Sequence, residues 1–264
     1  MLFTRVLSAV VLIPFIVWLL YRGDWPLLLL ALAAAGIGYY EFYALFRRAG
    51  QRPYLLVGLA VALALVGAAY FASGELAPVV VAAALVLTLA YALLQSRPPQ
   101  EVVADWALTL AGALYVGWLL RYALLLRAQP AGWEWSITAL AATWAADTGA
   151  FLTGRAIGRR KVFPQISPGK TWEGVAGGLA LAIVATLVAG SALLGLAAWQ
   201  AVLLGLLVTA AAVVGDLAES LLKRGAGAKD SGALIPGHGG LLDRIDSLLF
   251  VLPAVYYFQV ALVR

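Results

Sequence analysis

Residues 201–246 read AVLLGLLVTAAAVVGDLAESLLKRGAGAKDSGALIPGHGGLLDRID. The opening run, 201–214, carries no charge and one hydroxyl, the composition of a helix dissolved in lipid. At Asp216 the character changes. Four aspartates, one glutamate, four cations and the chain's single histidine fall within about thirty residues, among glycines. Carboxylates beside a bilayer are costly and face a protein interior or a wet cavity where they have a task. This stretch therefore sets the fold class, an α-helical membrane protein, and marks where its chemistry lies.

The rest of the chain agrees. It has 264 residues, 64% hydrophobic and 12% charged, against roughly 45–50% and 25% in soluble domains. Apolar runs bounded by Pro, Gly or charge predict an all-α polytopic bundle of about nine transmembrane helices. They are expected near 6–21, 26–46, 54–73, 77–95, 103–126, 134–154, 172–197, 199–222 and 245–262, the sixth being the least apolar at its end. Arg5 and the run behind it imitate a secretory signal, but no small-residue cleavage site follows, so the run is expected to stay as the first span. Residues 1–100 are expected to form an N-terminal group of helices facing lipid or a second copy, and 101–264 a catalytic region.

Basic residues set the orientation. With the N-terminus inside, the cytoplasmic segments hold Arg5, Arg47, Arg48, Arg52, Arg97, Arg155, Arg159, Arg160, Lys161, Lys170, Lys223, Arg224, Lys229 and Arg244. The outside keeps Arg22, Arg127, Arg264 and, near the end of the fifth span, Arg121. The net charge of +5 is then a topology signal, and no nucleic-acid-binding motif is present. The two long inside loops, about 155–171 and 223–244, would open towards soluble nucleotides at the inner face of a cell membrane. Zero cysteine and one histidine exclude disulfides, thiol nucleophiles and a protein-built His/Cys zinc site.

Asp216, Glu219, Ser220 and Lys223 share one helical face. Asp243 and Asp246, three residues apart, share a face of the next helix. Two helices can thus bring three carboxylates to one point, a hard-oxygen donor set suited to Mg²⁺ with substrate phosphates. The plainer alternative for Glu219 is an i, i+4 ion pair with Lys223. Lys223, Arg224 and Lys229 lie among glycines whose backbone can turn its N–H groups to an anion such as a triphosphate, or the loop touches anionic lipid headgroups. His238, with Gly239 and Gly240, could donate to phosphate or carry a proton.

Upstream, 147–178 reads DTGAFLTGRAIGRRKVFPQISPGKTWEGVAGG. Asp147 is a second intramembrane acid. Pro164 and Pro168 break helix around Ser167, and Lys170 and Thr171 follow. Gly169–Lys170–Thr171 imitates the end of a P-loop, but Pro164 stands at the position of its first glycine and no strand precedes it, so a P-loop is rejected. Gly174 and Gly178 form a small-xxx-small pair that packs helices. Glu41 and Asp105 are read as paired acids or acids at a helix N-terminus, with a cavity lining as the alternative.

The segment from Ser220 to Asp246 resembles the phosphatidate cytidylyltransferase (CDP-diacylglycerol synthase) family. Its pattern S-x-x-K-R-x4-K-D-x-G-x2-[LIF]-P-x-H-G-G-x-x-D-R-x-D is met by Ser220, Lys223, Arg224, Lys229, Asp230, Gly232, Pro236, His238, Gly239, Gly240, Asp243, Arg244 and Asp246. The GDLxES run and the 147–178 segment are similar too, except that Gly169 stands where the family has a lysine. The resemblance covers about residues 140–250. It implies conversion of CTP and phosphatidic acid to CDP-diacylglycerol and pyrophosphate, a Mg²⁺ site with a companion K⁺, and a homodimer in the bilayer. On that reading Asp216, Asp243 and Asp246 hold the metal. Lys223, Arg224, Lys229, His238, Gly239, Gly240, Arg244 and Ser220 meet the nucleotide, while Asp147, Ser167, Lys170 and Thr171 bind lipid phosphate or nucleotide. The rivals are a CTP-dependent polyprenol kinase, which would release CDP, and a cation-coupled transporter, which would not turn over CTP. A CDP-alcohol phosphotransferase is excluded because its DGxxAR carboxylate pattern is missing.

Overall fold

The computed structural model describes residues 13–72, 75–232 and 239–263. Its elements are α1 (Ile13–Arg22), then α2 (Asp24–Arg48), α3 (Leu55–Phe71), α4 (Ala77–Leu93) and α5 (Pro99–Ala113). A π-helical turn (Leu114–Trp118), α6 (Tyr122–Arg127), α7 (Gly132–Ile157), β1 (Lys161–Phe163) and β2 (Ser167–Thr171) follow. The chain ends in α8 (Trp172–Leu194), α9 (Ala198–Gly225) and α10 (Leu242–Leu262). The helices stand on the predicted apolar runs. Five stretches among the described residues are long and apolar enough to cross a membrane: α2, Pro99–Arg127, α8, α9 and α10. The protein is a multi-pass helical membrane protein. α7 is long but carries Glu134, Asp147 and Arg155 and is not among the five.

The loop expected at 155–171 contains a small antiparallel hairpin, with Lys161 opposite Thr171 and Phe163 opposite Ser167. Pro164 and Pro168, read as helix breakers, stand in its bend and in β2.

The chain divides into two compact units, both discontinuous: one runs to Leu125 and resumes over Gly225–Arg244, the other comprises Leu126–Arg224 and Ile245–Arg264. In the first, α3 crosses the π-helical turn at Gly117, where a Cβ would lie 2.6 Å from the Ala62 Cα. Asp105 is buried there; it accepts from the Arg97 guanidinium at 2.7 Å and from the Arg52 N–H at 2.6 Å. It also lines a cavity of about 550 Å³ with Arg52, Arg97, Gln100 and Glu101, so its pairing and its cavity position are both realised.

In the second unit α7 and α8 pack closely along their length. A Cβ on Gly178 would come within 2.7 Å of the Ala146 carbonyl oxygen, and one on Gly174 within 2.9 Å of that of Ala150. Gly149 faces the Gly177 carbonyl in the same way. Without a hydrophobic drive in lipid, such backbone approach is what holds two helices together. α9 meets α10 at Gly215, where a Cβ would be 2.5 Å from the Asp246 carbonyl oxygen, and Ser247 Oγ donates to the Ala212 carbonyl at 3.3 Å. Below lies an apolar core of Trp135, Leu204, Val208, Val251, Val255 and Phe258.

Candidate active site

The contact at Gly215 brings the next residue, Asp216, into the neighbourhood of Asp246 on α10. Asp246 has Asp216, Asp147 and Lys223 as its charged neighbours, and Asp147 has Asp216 and Lys170. Three acids from α7, α9 and α10 thus share one electrostatic neighbourhood. Lys170, on β2, forms an ion pair with Asp216 at 2.7 Å (Nζ to Oδ2). Ser220 Oγ donates to the other Asp216 oxygen at 3.3 Å. The base of the hairpin, next to Lys170, is fastened: the Glu173 carboxylate accepts from the backbone N–H groups of Arg159 and Arg160.

Lys223 pairs with Glu219 at 2.7 Å. Glu219 is almost fully buried, so the i, i+4 reading of that pair is the one realised. Arg224 Nε donates to the Ile166 carbonyl at 3.4 Å, joining the end of α9 to the hairpin. Thr171 caps α8, its hydroxyl accepting from the Gly174 N–H at 3.1 Å. Ser167 is half-buried at the start of β2, and Lys229 and Arg244 are exposed. His238 and its neighbours Pro236 and Gly237 lie outside the described residues.

Asp243 belongs to the first unit, one helical turn before Asp246 on α10. Its Oδ2 accepts three hydrogen bonds: from Ser231 N–H (3.1 Å), Ser231 Oγ (2.8 Å) and Gly240 N–H (2.9 Å). Gly239 reaches Gly240 through φ +81°, a conformation that suits glycine. Glu41, on α2, accepts from Leu241 N–H on Oε1 and from Leu242 N–H on Oε2, both at 2.9 Å. Glu41 stands near the C-terminal end of its own helix and meets the N-terminus of another, a partner the sequence does not name. Ser231 has no distinguishing mark in the sequence beyond lying in the signature, and its part was not foreseen.

Among the described residues no set of three acids stands in metal-ligand geometry. The acids the structure groups are Asp147, Asp216 and Asp246, whereas the spacing argument had grouped Asp216, Asp243 and Asp246. Three carboxylates stand against the ammonium groups of Lys170 and Lys223; their chemistry, hard oxygens, is of the kind a divalent cation takes with one or two carboxylates when phosphates complete its shell.

Fold and site define a multi-pass helical protein that gathers acids and lysines at helix ends. The chain belongs to the Cytidylyltransferase family, whose profile matches residues 3–262. It is 50% identical over 119 residues to the uncharacterized protein YnbB of Escherichia coli (strain K12), covering 45% of this chain and 40% of that protein. It is 42% identical over 149 residues to the phosphatidate cytidylyltransferase of Brucella suis biovar 1, covering 56% and 55%. The chain thus spans about half the length of those two relatives or less. Against the phosphatidate cytidylyltransferase of Synechocystis sp. the identity is 35% over 299 aligned residues, covering 98% of this chain and 96% of that one.

Proposed function

We propose that the chain is a phosphatidate cytidylyltransferase, joining CTP and phosphatidic acid to give CDP-diacylglycerol and pyrophosphate. The observation that carries this is the gathering of Asp147, Asp216 and Asp246 with Lys170, on the elements that bear the family signature. The near-full-length likeness to the Synechocystis enzyme supports it.

The lipid phosphate attacks the α-phosphorus of CTP in line; the new P–O bond forms as the bond to the pyrophosphate leaving group breaks. A phosphate dianion is already a nucleophile near neutral pH, so no strong base is required and His238 has no essential proton to move. Lys170 stands at the acid cluster, where its ammonium would meet a phosphate oxygen once Asp216 is engaged elsewhere. Lys223, Arg224 and Lys229, at and beyond the end of α9, steady the triphosphate and the departing pyrophosphate. Asp216 and Asp246, with Asp147 nearby and Asp243 one turn back, would hold Mg²⁺, which supplies charge neutralisation on the phosphate oxygens. A companion K⁺ and a homodimer follow from the resemblance.

The proposal includes about nine spans with the N-terminus in the cytoplasm of a cell whose inner membrane holds the protein. α3 and α4, each 17 residues, are about 26 Å long at 1.5 Å per residue, near the lower limit for a span. Basic residues close α2, α7 and α9, which supports assigning those ends to the cytoplasm.

The test is product analysis. Purified protein in detergent, given phosphatidate, CTP and Mg²⁺, forms CDP-diacylglycerol with an equal amount of pyrophosphate. Release of CDP with a phosphorylated alcohol would make it a kinase, and ion flux without CTP turnover a transporter.

A further inference from the structure

Glu41 lies two turns before the end of α2, 5% exposed, in a helix apolar enough to span the membrane. A carboxylate there is costly without partners. Its partners are the backbone N–H groups of Leu241 and Leu242, one on each oxygen at 2.9 Å. These are among the first donors of α10, which no carbonyl within the helix can satisfy, and the carboxylate also meets the positive end of the helix dipole. A helix start is usually capped by a residue next to it in sequence. Here the cap comes from 200 residues away.

The surrounding backbone is built to this carboxylate. A Cβ on Gly232 would lie 2.8 Å from Glu41 Oε1, and one on Gly240 would lie 2.7 Å from Glu41 Oε2 and collide with Ser231 Oγ. These two signature glycines therefore leave room for Glu41, a separate duty from turning N–H groups to phosphate. Ser231 Oγ has one proton; it goes to Asp243 Oδ2 at 2.8 Å, while Glu41 Oε2 is 3.5 Å away. Glu41, Ser231, Gly240 and Asp243 form one buried network closing the signature loop onto the start of α10.

We propose that Glu41 is a positioning residue for nucleotidyl transfer: it fixes the backbone of residues 240–242 and so the aim of Asp243. It touches no substrate. This rests on the reaction proposed above, and the test separates the two.

The measurements are amide hydrogen exchange at Leu241 and Leu242, thermal unfolding, and steady-state turnover of the full chain in detergent with phosphatidate, CTP and Mg²⁺. In Glu41→Gln one oxygen becomes an NH₂ that faces a backbone donor. Exchange at the two amides should quicken and kcat should fall by ~10- to ~100-fold, the range for residues that orient a reacting shell. Glu41→Asp keeps the charge with a shorter reach and should recover part of both. Asp105→Asn, another buried acid of the same unit, should lower the Tm while kcat stays within ~3-fold, separating positioning from a general loss of stability. Should Glu41→Gln fail to fold, Glu41→Asp decides by the same two readouts. Fast exchange with kcat within ~3-fold of wild type would overturn the positioning role, and unchanged exchange would overturn the clamp. A wild-type chain that forms no CDP-diacylglycerol sinks the reaction and the catalytic half of this proposal; the exchange arm, independent of turnover, distinguishes that failure from failure of the clamp.

Discussion

Glu41 and Asp243 in one unit, and Asp147, Asp216 and Asp246 in the other, are the same side-chain chemistry in opposite surroundings. The first pair accept from neutral donors that are close and numerous: five backbone or hydroxyl hydrogen bonds between 2.8 and 3.1 Å. Carboxylates so supplied have their desolvation offset by charge-assisted bonds to N–H groups. The second group face one another, with Lys170 as the ion-pair partner of Asp216. Like charges in one neighbourhood are held at a cost, and a bound cation relieves it. What separates the two groups is the set of partners each acid has, and a sequence shows only the acid.

Removing a working acid should abolish activity and spare the fold. Asp246→Ala is expected to lower kcat by at least ~10²-fold with a Tm equal to or above that of wild type, since one of three repelling charges is gone. Normal turnover, or a large fall in Tm with activity in proportion, would erase the distinction between the two regions. A smaller effect is expected at the counter-charge. Lys170→Met loses the ion pair with Asp216, whose side chain is 36% exposed. Solvent screens such a pair, so stability should change by less than ~1 kcal/mol, while kcat/KM falls by ~10-fold or more as a positive charge leaves the phosphate site. If the Tm moved more than the kinetics, Lys170 would belong with the framework.

Much of this was legible. Helix positions followed from apolar runs because lipid demands length and composition together. Glycine spacing at Gly174 and Gly178 foretold the α7–α8 contact, since only small residues let helix backbones approach so closely. Asp147 and Asp216 were found as acids in apolar helices. The assignment of Asp243 to a metal trio followed from its spacing to Asp246, which fixes a shared face and says nothing of who donates to the carboxylate. Ser231 and Gly240 do, with two main-chain N–H groups and the Ser231 hydroxyl, and spacing alone announces none of the three. Glu41 was hidden for the same reason, its partners being the main-chain amides of two leucines 200 and 201 residues on. The hairpin at 161–171 was missed because three residues, Lys161–Phe163, are too few to display an alternating pattern.

The remaining predictions concern how Lys170 is carried to the acids. Gly178→Ala places a methyl 2.7 Å from the Ala146 carbonyl oxygen, one turn along α7 from Gly149. It should cost ~1–3 kcal/mol by overpacking, read as a lower midpoint of unfolding in detergent, with less effect on kcat than Lys170→Met. Unaltered stability would mean that α7 and α8 are held by something other than backbone approach. The smallest effect is expected at Gly169, where relatives of the resembled family carry lysine. Nothing lies within 4 Å of a Cβ built there, and its φ is not in the left-handed region, so Gly169→Lys should fold as wild type does. A second exposed ammonium beside Lys170 acts through high-dielectric solvent, which holds its contribution to ~1 kcal/mol, or a KM lowered by up to ~5-fold. A drop beyond that would show that the hairpin bears directly on the bound phosphates, and that the working region extends further along β2 than Lys170 alone.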